Sequence, residues 1–327
     1  AQLTGREGAV GMVSRRNILR WGAAGLTGLG AAISARVGWN MLQLDKARNL
    51  YASGLNSPDN PLQVFHLGHS LVGRDMPAML AQFAPEGHGY ASQLGWGAPL
   101  RAHWDPDVEI NGFETENAHD KFLPARAAIE GGGFNAVVMT EMVELSDAIT
   151  YHDSPEYLAR WAQLARDVRP EVRLYLYETW HNTDDPAGWL NRIDVDLEAL
   201  WLDKVTLPAS LKAGGPIYVI PGGQVLAAFV REVEARGGVG NVPSRDALFA
   251  RTPEDGVDTI HLGDMGAYLI ALTHYAVLYH RSPVGLPLSL RRADGTVAKA
   301  PDSEAGSLMQ HVVWDVVTTF RYSGVTV

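Results

Sequence analysis

Five short apolar runs recur along the chain, most of them followed by a helical pattern, and this alternation constrains the fold more than any other feature. Strands buried on both faces read as continuous apolar segments, and parallel strands need crossover connections that are usually helices. The pattern therefore predicts a central parallel five-stranded sheet with helices on both faces, a three-layer α/β/α architecture. The strands are expected from Val64 into Gly68 and over residues 89–94, 134–140, 172–177 and 217–220. Helices are expected over 76–83, from Ser154-Pro155 to about Val168, through most of 189–211, over 225–235, from Gly263-Asp264 through Tyr279, and near 309–320. Pro155 suits a first helical position, and Gly237-Gly238 ends a helix.

A chain of 327 residues with 46% hydrophobic content can build one large α/β domain. The net charge of -10, with Lys and Arg scattered, excludes the clustered basic footprint of a nucleic-acid surface. Zero cysteine removes disulfides, thiol catalysis and cysteine-based zinc sites together. No His and acidic residues fall at metal-ligand spacing, and neither a phosphate loop nor a dinucleotide fingerprint occurs, so neither metal nor cofactor is expected.

The N-terminal part carries an address. Ser14-Arg15-Arg16-Asn17-Ile18-Leu19-Arg20 resembles the bacterial twin-arginine signal, and the mildly apolar Gly/Ala segment after it is too short to span a bilayer. Ala32-Ile33-Ser34 is a small-x-small cleavage candidate, and Met12 is the expected start of translation. The expected location is periplasmic or secreted, with the export machinery as a partner and membrane contact only through an uncleaved signal. Residues 1–36 hold five Arg and one Glu, which leaves 22 basic and 36 acidic residues beyond them, a net of -14. The chain is expected to divide into a signal segment (1–36), an N-terminal helix and linker (37–61), the main domain (62–281), and a C-terminal excursion with a closing helix (282–327).

The chemistry is expected from two places. Ser70 stands after the first strand, where an open α/β sheet has its ligand crevice. A serine hydroxyl is a weak nucleophile until an imidazole takes its proton and a carboxylate fixes that imidazole's tautomer. Asp258-Thr259-Ile260-His261 supplies both groups, three residues apart on one expected tight turn.

Gly68-His69-Ser70-Leu71, Gly97 after the second strand, and Asp258-Thr259-Ile260-His261-Leu262 before the last core helix resemble, in order and spacing, the blocks of the SGNH (GDSL-like) hydrolases. The resemblance covers roughly residues 62–281. It implies the three-layer fold, with Ser70 as nucleophile, His261 as general base, Asp258 as its orienting acid, and the amides of Ser70 and Gly97 in an oxyanion hole. Two departures stand out. His69 occupies the position of the usual Asp or Asn, and Thr140-Glu141-Met142-Val143-Glu144 replaces the Gly-x-Asn-Asp that would bring a third oxyanion donor. A carboxylate in that hole would repel the developing charge, so Glu141 is expected to point away from it. No glycine stands two residues after Ser70, so the nucleophile elbow of the α/β-hydrolases is not present.

His69, Glu141, Trp180 and His181 are candidate substrate-binding residues at strand ends, with His103-Trp104 and Asn182 weaker ones. Trp96, Trp104 and Trp180 offer aromatic faces suited to sugar rings. The resemblance implies an exported serine esterase acting on a short-acyl, small-molecule or carbohydrate ester. An O-acetyltransferase of the same fold is the runner-up, and a non-catalytic carbohydrate-binding or envelope module is the rival from another class.

Overall fold

In the computed structural model, which describes residues 41–326, the apolar runs form β1 (Gln63–His69), β2 (Gly89–Gly95), β3 (Ala136–Met139), β4 (Arg173–Glu178) and β5 (Tyr218–Pro221). All four pairings are parallel, in the order β2-β1-β3-β4-β5. The chain leaves β1 towards β2 on one side and returns to β3 on the other. The carboxyl end of β1 therefore lies at the switch point where α/β sheets open a crevice.

Period-two alternation divides each strand between two helical layers. Phe65, Leu67, Val137, Met139, Leu174 and Leu176 face one layer, built on Leu158, Trp161 and Ala162 of helix Ser154–Val168 and on Trp201 and Val205. On the opposite face, His66 and Tyr177 meet His274 of helix Asp264–Tyr279. That helix packs against helices Asp75–Phe83, Gly222–Arg236 and Ser303–Thr319. Burial on both faces explains why the strands read as unbroken apolar runs. Among the described residues no helix is long and apolar enough to cross a membrane.

Three features differ from expectation. β3 is only four residues long: the Thr140 amide still donates to the Leu67 carbonyl of β1 at 2.9 Å, and the chain leaves the ladder at Glu141. The 189–212 stretch is not one regular helix: Trp189–Asp196 passes into a π-helical segment, Leu197–Thr206, before Leu207–Lys212. Pro208 has no N–H for an α-helical bond, and the Thr206 hydroxyl donates to the Trp201 carbonyl at 2.6 Å, so the wider register meets less resistance there. Third, the Pro/Gly-rich excursion after residue 281 is pinned back onto the domain. Arg292 forms a bidentate ion pair with Asp264 at 2.8 and 2.6 Å, and the Ala293 amide donates to Asp75 Oδ1 at 2.9 Å. The described N-terminal residues 41–49 are helical, and the twin-arginine and cleavage motifs lie outside the described residues.

The interior holds an unusual number of imidazoles. Burial lowers His69, His88, His103, His274 and His280 to about 4, and it lowers His66 well below its ordinary value. Each favours the folded state while neutral; below about 6.5 the unfolded chain takes up protons that the folded one refuses, and stability is lost down to about 4. Glu141 and Glu178, raised by burial to about 7 and about 8, act in the opposite sense, since the folded chain holds protons that the unfolded one releases above about 4.5. Six groups outweigh two. The melting temperature should therefore fall steadily from pH 6.5 to 4.5 in calorimetry, and a flat or rising profile would contradict this balance.

Candidate active site

Ser70 sits one residue beyond β1, and its position is fixed by buried polar groups. Gly68 is extended backbone, so its role is close approach: a Cβ there would collide with the Thr140 side chain on the neighbouring strand. The Gly68 carbonyl accepts His103 Nε2–H at 2.9 Å, while His103 Nδ1 accepts from the Gln93 amide at 2.9 Å. His69 bridges in the same way: Nε2–H donates to the Glu141 carbonyl at 2.8 Å, and Nδ1 accepts the Leu71 amide at 3.3 Å. Each ring is a neutral tautomer set by its two neighbours. The turn closes with the Val72 amide on the His69 carbonyl at 2.9 Å and Gly73 in the left-handed region.

The acid–histidine pair comes from a bulged strand instead of the simple turn expected. β6 (Phe249–Arg251) and β7 (Val257–Leu262) pair antiparallel at Phe249 with Leu262 and at Arg251 with Val257, and the register slips between. Within the slip, Asp258 Oδ1 accepts the amides of Ile260 and His261 at 2.8 and 2.7 Å, which curls the chain so that Oδ2 lies 3.0 Å from His261 Nδ1. Partial burial raises the Asp258 carboxyl, but these three donors outweigh it and hold it below its ordinary value. The loop after β4 secures this curl: Trp180 Nε1–H donates to the Ile260 carbonyl at 2.8 Å and the Thr183 amide to the Thr259 carbonyl at 2.8 Å. His261 Nε2 then lies 3.0 Å from Ser70 Oγ. Residues 191 positions apart in sequence are thereby brought within hydrogen-bond distance.

These groups open into a cleft of about 910 Å³ that also includes Gly97, Trp96 and Val143. Gly97 has φ +54°, and its amide meets no protein acceptor among the described residues. Trp96 is 53% exposed; its indole lies flat on Gly112, where a Cβ would strike the ring, and Nε1–H donates to Glu116 Oε1 at 2.8 Å. Val143 lines the cleft after β3, the strand end where the resemblance would put an asparagine.

Of the candidate substrate-binding residues, five side chains are buried, those of His69, Glu141, Trp180, His181 and the weaker candidate His103, which corrects the sequence reading. The His69 ring only underlies the cleft, and Trp180 borders a smaller adjoining hollow while its indole N–H holds the bulge. His181 pairs with Asp196 at 3.0 Å within a network around Arg192. Glu141 points away from the cleft, as expected on charge grounds: Oε1 accepts the amides of Leu100 and Met142 at 3.1 and 2.9 Å, and Oε2 the Ser154 hydroxyl at 2.8 Å. His103 braces β1, and Trp104 packs edge-on against Trp161. Asn182, one of the weaker candidates, lines the cleft, and so do Arg74, Arg292 and Asp294, which the sequence did not single out. Only the partners they meet in space mark them. No group of three or more His, Asp or Glu among the described residues could hold a metal ion.

No protein-family model matches the sequence, and no curated protein does either. Among solved structures the chain is similar to a Parabacteroides merdae ATCC 43184 protein provisionally described as a GDSL-like lipase, at 12% identity and a TM-score of 0.42, over 69% of this chain and 99% of that one. It is also similar to a gut microbial diltiazem-metabolizing enzyme, at 12% identity and a TM-score of 0.36, over 76% of this chain and 54% of that one. Likenesses this distant carry no argument about chemistry, which rests on the geometry above.

The Glu141 contacts lead to a direct test. Glu141→Gln keeps Oε1 for both amides and lets Nε2 donate to Ser154, so stability in urea should change by no more than about 1 kcal/mol. Glu141→Ala strands a buried amide, a part-buried amide and a buried hydroxyl at about 1–3 kcal/mol each, and should cost roughly 3–9 kcal/mol. An alanine variant as stable as the parent would remove Glu141 from its bracing role.

Proposed function

We propose that this chain is an exported serine esterase that cleaves a short-acyl ester, such as an acetylated carbohydrate, through an acyl-serine intermediate. The observation that carries the reading is the relay of two 3.0 Å hydrogen bonds, Ser70 Oγ to His261 Nε2 and His261 Nδ1 to Asp258 Oδ2, at the floor of an open cleft. Asp258 holds the tautomer in which Nδ1 carries the proton and Nε2 presents a lone pair. Ser70 Oγ attacks the ester carbon as its proton passes to Nε2, and the amides of Ser70 and Gly97 receive the oxyanion. The imidazolium then protonates the leaving alcohol. Water, deprotonated by the same nitrogen, releases the acid.

The choice of a polar substrate rests on the walls. Arg74, Asp75, Glu116, Asn182 and Asp294 offer donors and acceptors for hydroxyl groups, and Trp96 offers one aromatic face. A fluorophosphonate should label Ser70. Ser70→Ala or His261→Ala should lower kcat by at least about 10⁴-fold, with Asp258→Asn nearly as severe. Acetyl esters should turn over faster than octanoyl esters. Unchanged turnover in Ser70→Ala would sink the assignment; preferential transfer of acetyl to an added sugar instead of water would mark an acetyltransferase, and no labelling at all a non-catalytic module.

Export rests on Ser14 to Arg20. Replacing Arg15 and Arg16 with Lys should hold the protein in the cytoplasm, as read by cell fractionation. Normal periplasmic levels of the double mutant would refute that route.

A further inference from the structure

Asn182 is the only carboxamide side chain among the described residues lining the cleft. Its Oδ1 accepts the Thr259 hydroxyl at 3.0 Å, and the neighbouring Thr183 amide donates to the Thr259 carbonyl at 2.8 Å. The residue is thus fastened to the bulge that carries His261 two positions later. With Oδ1 committed, Nδ2 turns away from Thr259 and donates to no protein group. Its two N–H bonds are open to a ligand.

The sheet order says which part of a ligand. Gly97 follows β2 on one flank of Ser70, whereas Asn182 follows β4 on the other, the flank from which His261 approaches. An ester whose carbonyl oxygen is drawn towards the Ser70 and Gly97 amides turns its alkoxy oxygen to the His261 side. We propose that Asn182 is a substrate-binding residue for the alcohol part of the ester, Nδ2–H donating to a hydroxyl or ring oxygen of a polyol leaving group. This rests on reading Ser70, His261 and Asp258 as a catalytic unit. In acylation the Ser70 Oγ–carbon bond forms, the carbon–alkoxy bond breaks, and the proton on His261 Nε2 passes to the alkoxy oxygen beside Asn182. Deacylation lacks the alcohol, so Asn182 acts before it.

Two acetyl esters that give the same acyl-enzyme separate the effects: an acetylated methyl glycoside and 4-nitrophenyl acetate, whose leaving group has no hydroxyl neighbours. In Asn182→Ala, kcat/KM for the glycoside should fall at least tenfold more than for the aryl ester, about 1.4 kcal/mol, the size of a net hydrogen bond. Asn182→Asp, which keeps the shape but replaces the donor with an acceptor, should shift the ratio in the same direction with the fold intact by circular dichroism. An unchanged ratio in both variants would reduce Asn182 to a tether of the bulge and overturn the proposal. A parent protein that neither takes the fluorophosphonate at Ser70 nor turns over either ester would instead overturn the esterase reading, and this inference with it.

Discussion

The carboxyl end of β1 must end in a polar turn inside a dry part of the protein, and the hydrogen bonds that satisfy it govern the rest of the site. Buried main-chain groups need partners, and here histidines supply them. A neutral imidazole donates at one ring nitrogen and accepts at the other, so one ring can bridge two segments. His103 joins the Gly68 carbonyl to Gln93, and His69 joins the Glu141 carbonyl to the Leu71 amide. Protonation would abolish the acceptor in each bridge, which agrees with the lowered values burial imposes on both rings. Ser70 inherits its place from these bridges.

A second device repeats at the ends of β3 and β4. Glu141 collects the Leu100 amide, at the first residue of helix Leu100–Trp104, and Glu178 collects the amides of Gly223 and Gln224, at the start of helix Gly222–Arg236. Buried carboxylates at helix N-termini satisfy donors that have no partner within the helix, and the helix dipole favours their charge. Burial pulls the other way and raises both groups. These acids anchor helices to strand ends and do not line the cleft.

The cleft is assembled from segments that share no regular element. The connection after β2 brings Trp96 and Gly97, the loop after β4 brings Asn182, the β6–β7 bulge brings His261, and the C-terminal excursion closes one side with Arg292 and Asp294. The excursion is held by Asp264, at the start of the helix following His261, and by Asp75, at the start of the helix following Ser70. One wall is therefore coupled to the same two helix starts that flank Ser70 and His261. A polar, wide cleft with a single propped aromatic face follows from that arrangement.

Sequence by itself determined the layered fold, because strand and helix periodicity are local and a doubly buried strand has no polar face to show. It also brought Ser70, Asp258 and His261 forward as a candidate set, through the resemblance of their flanking residues, in order and spacing, to the SGNH blocks, since a strand-end serine or an acid three residues before a histidine is by itself common. Only the tertiary structure decided which strand-end side chains face the cleft. Glu141 and His181 read as site residues because a polar group at a strand end looks the same in sequence whether it meets a ligand or a buried amide, yet both turn inward to partners 13 to 41 residues away. Asn182 and Trp96 face outward because Thr259 and Glu116 hold them there, and those partners are set by how distant segments pack, which no local pattern encodes.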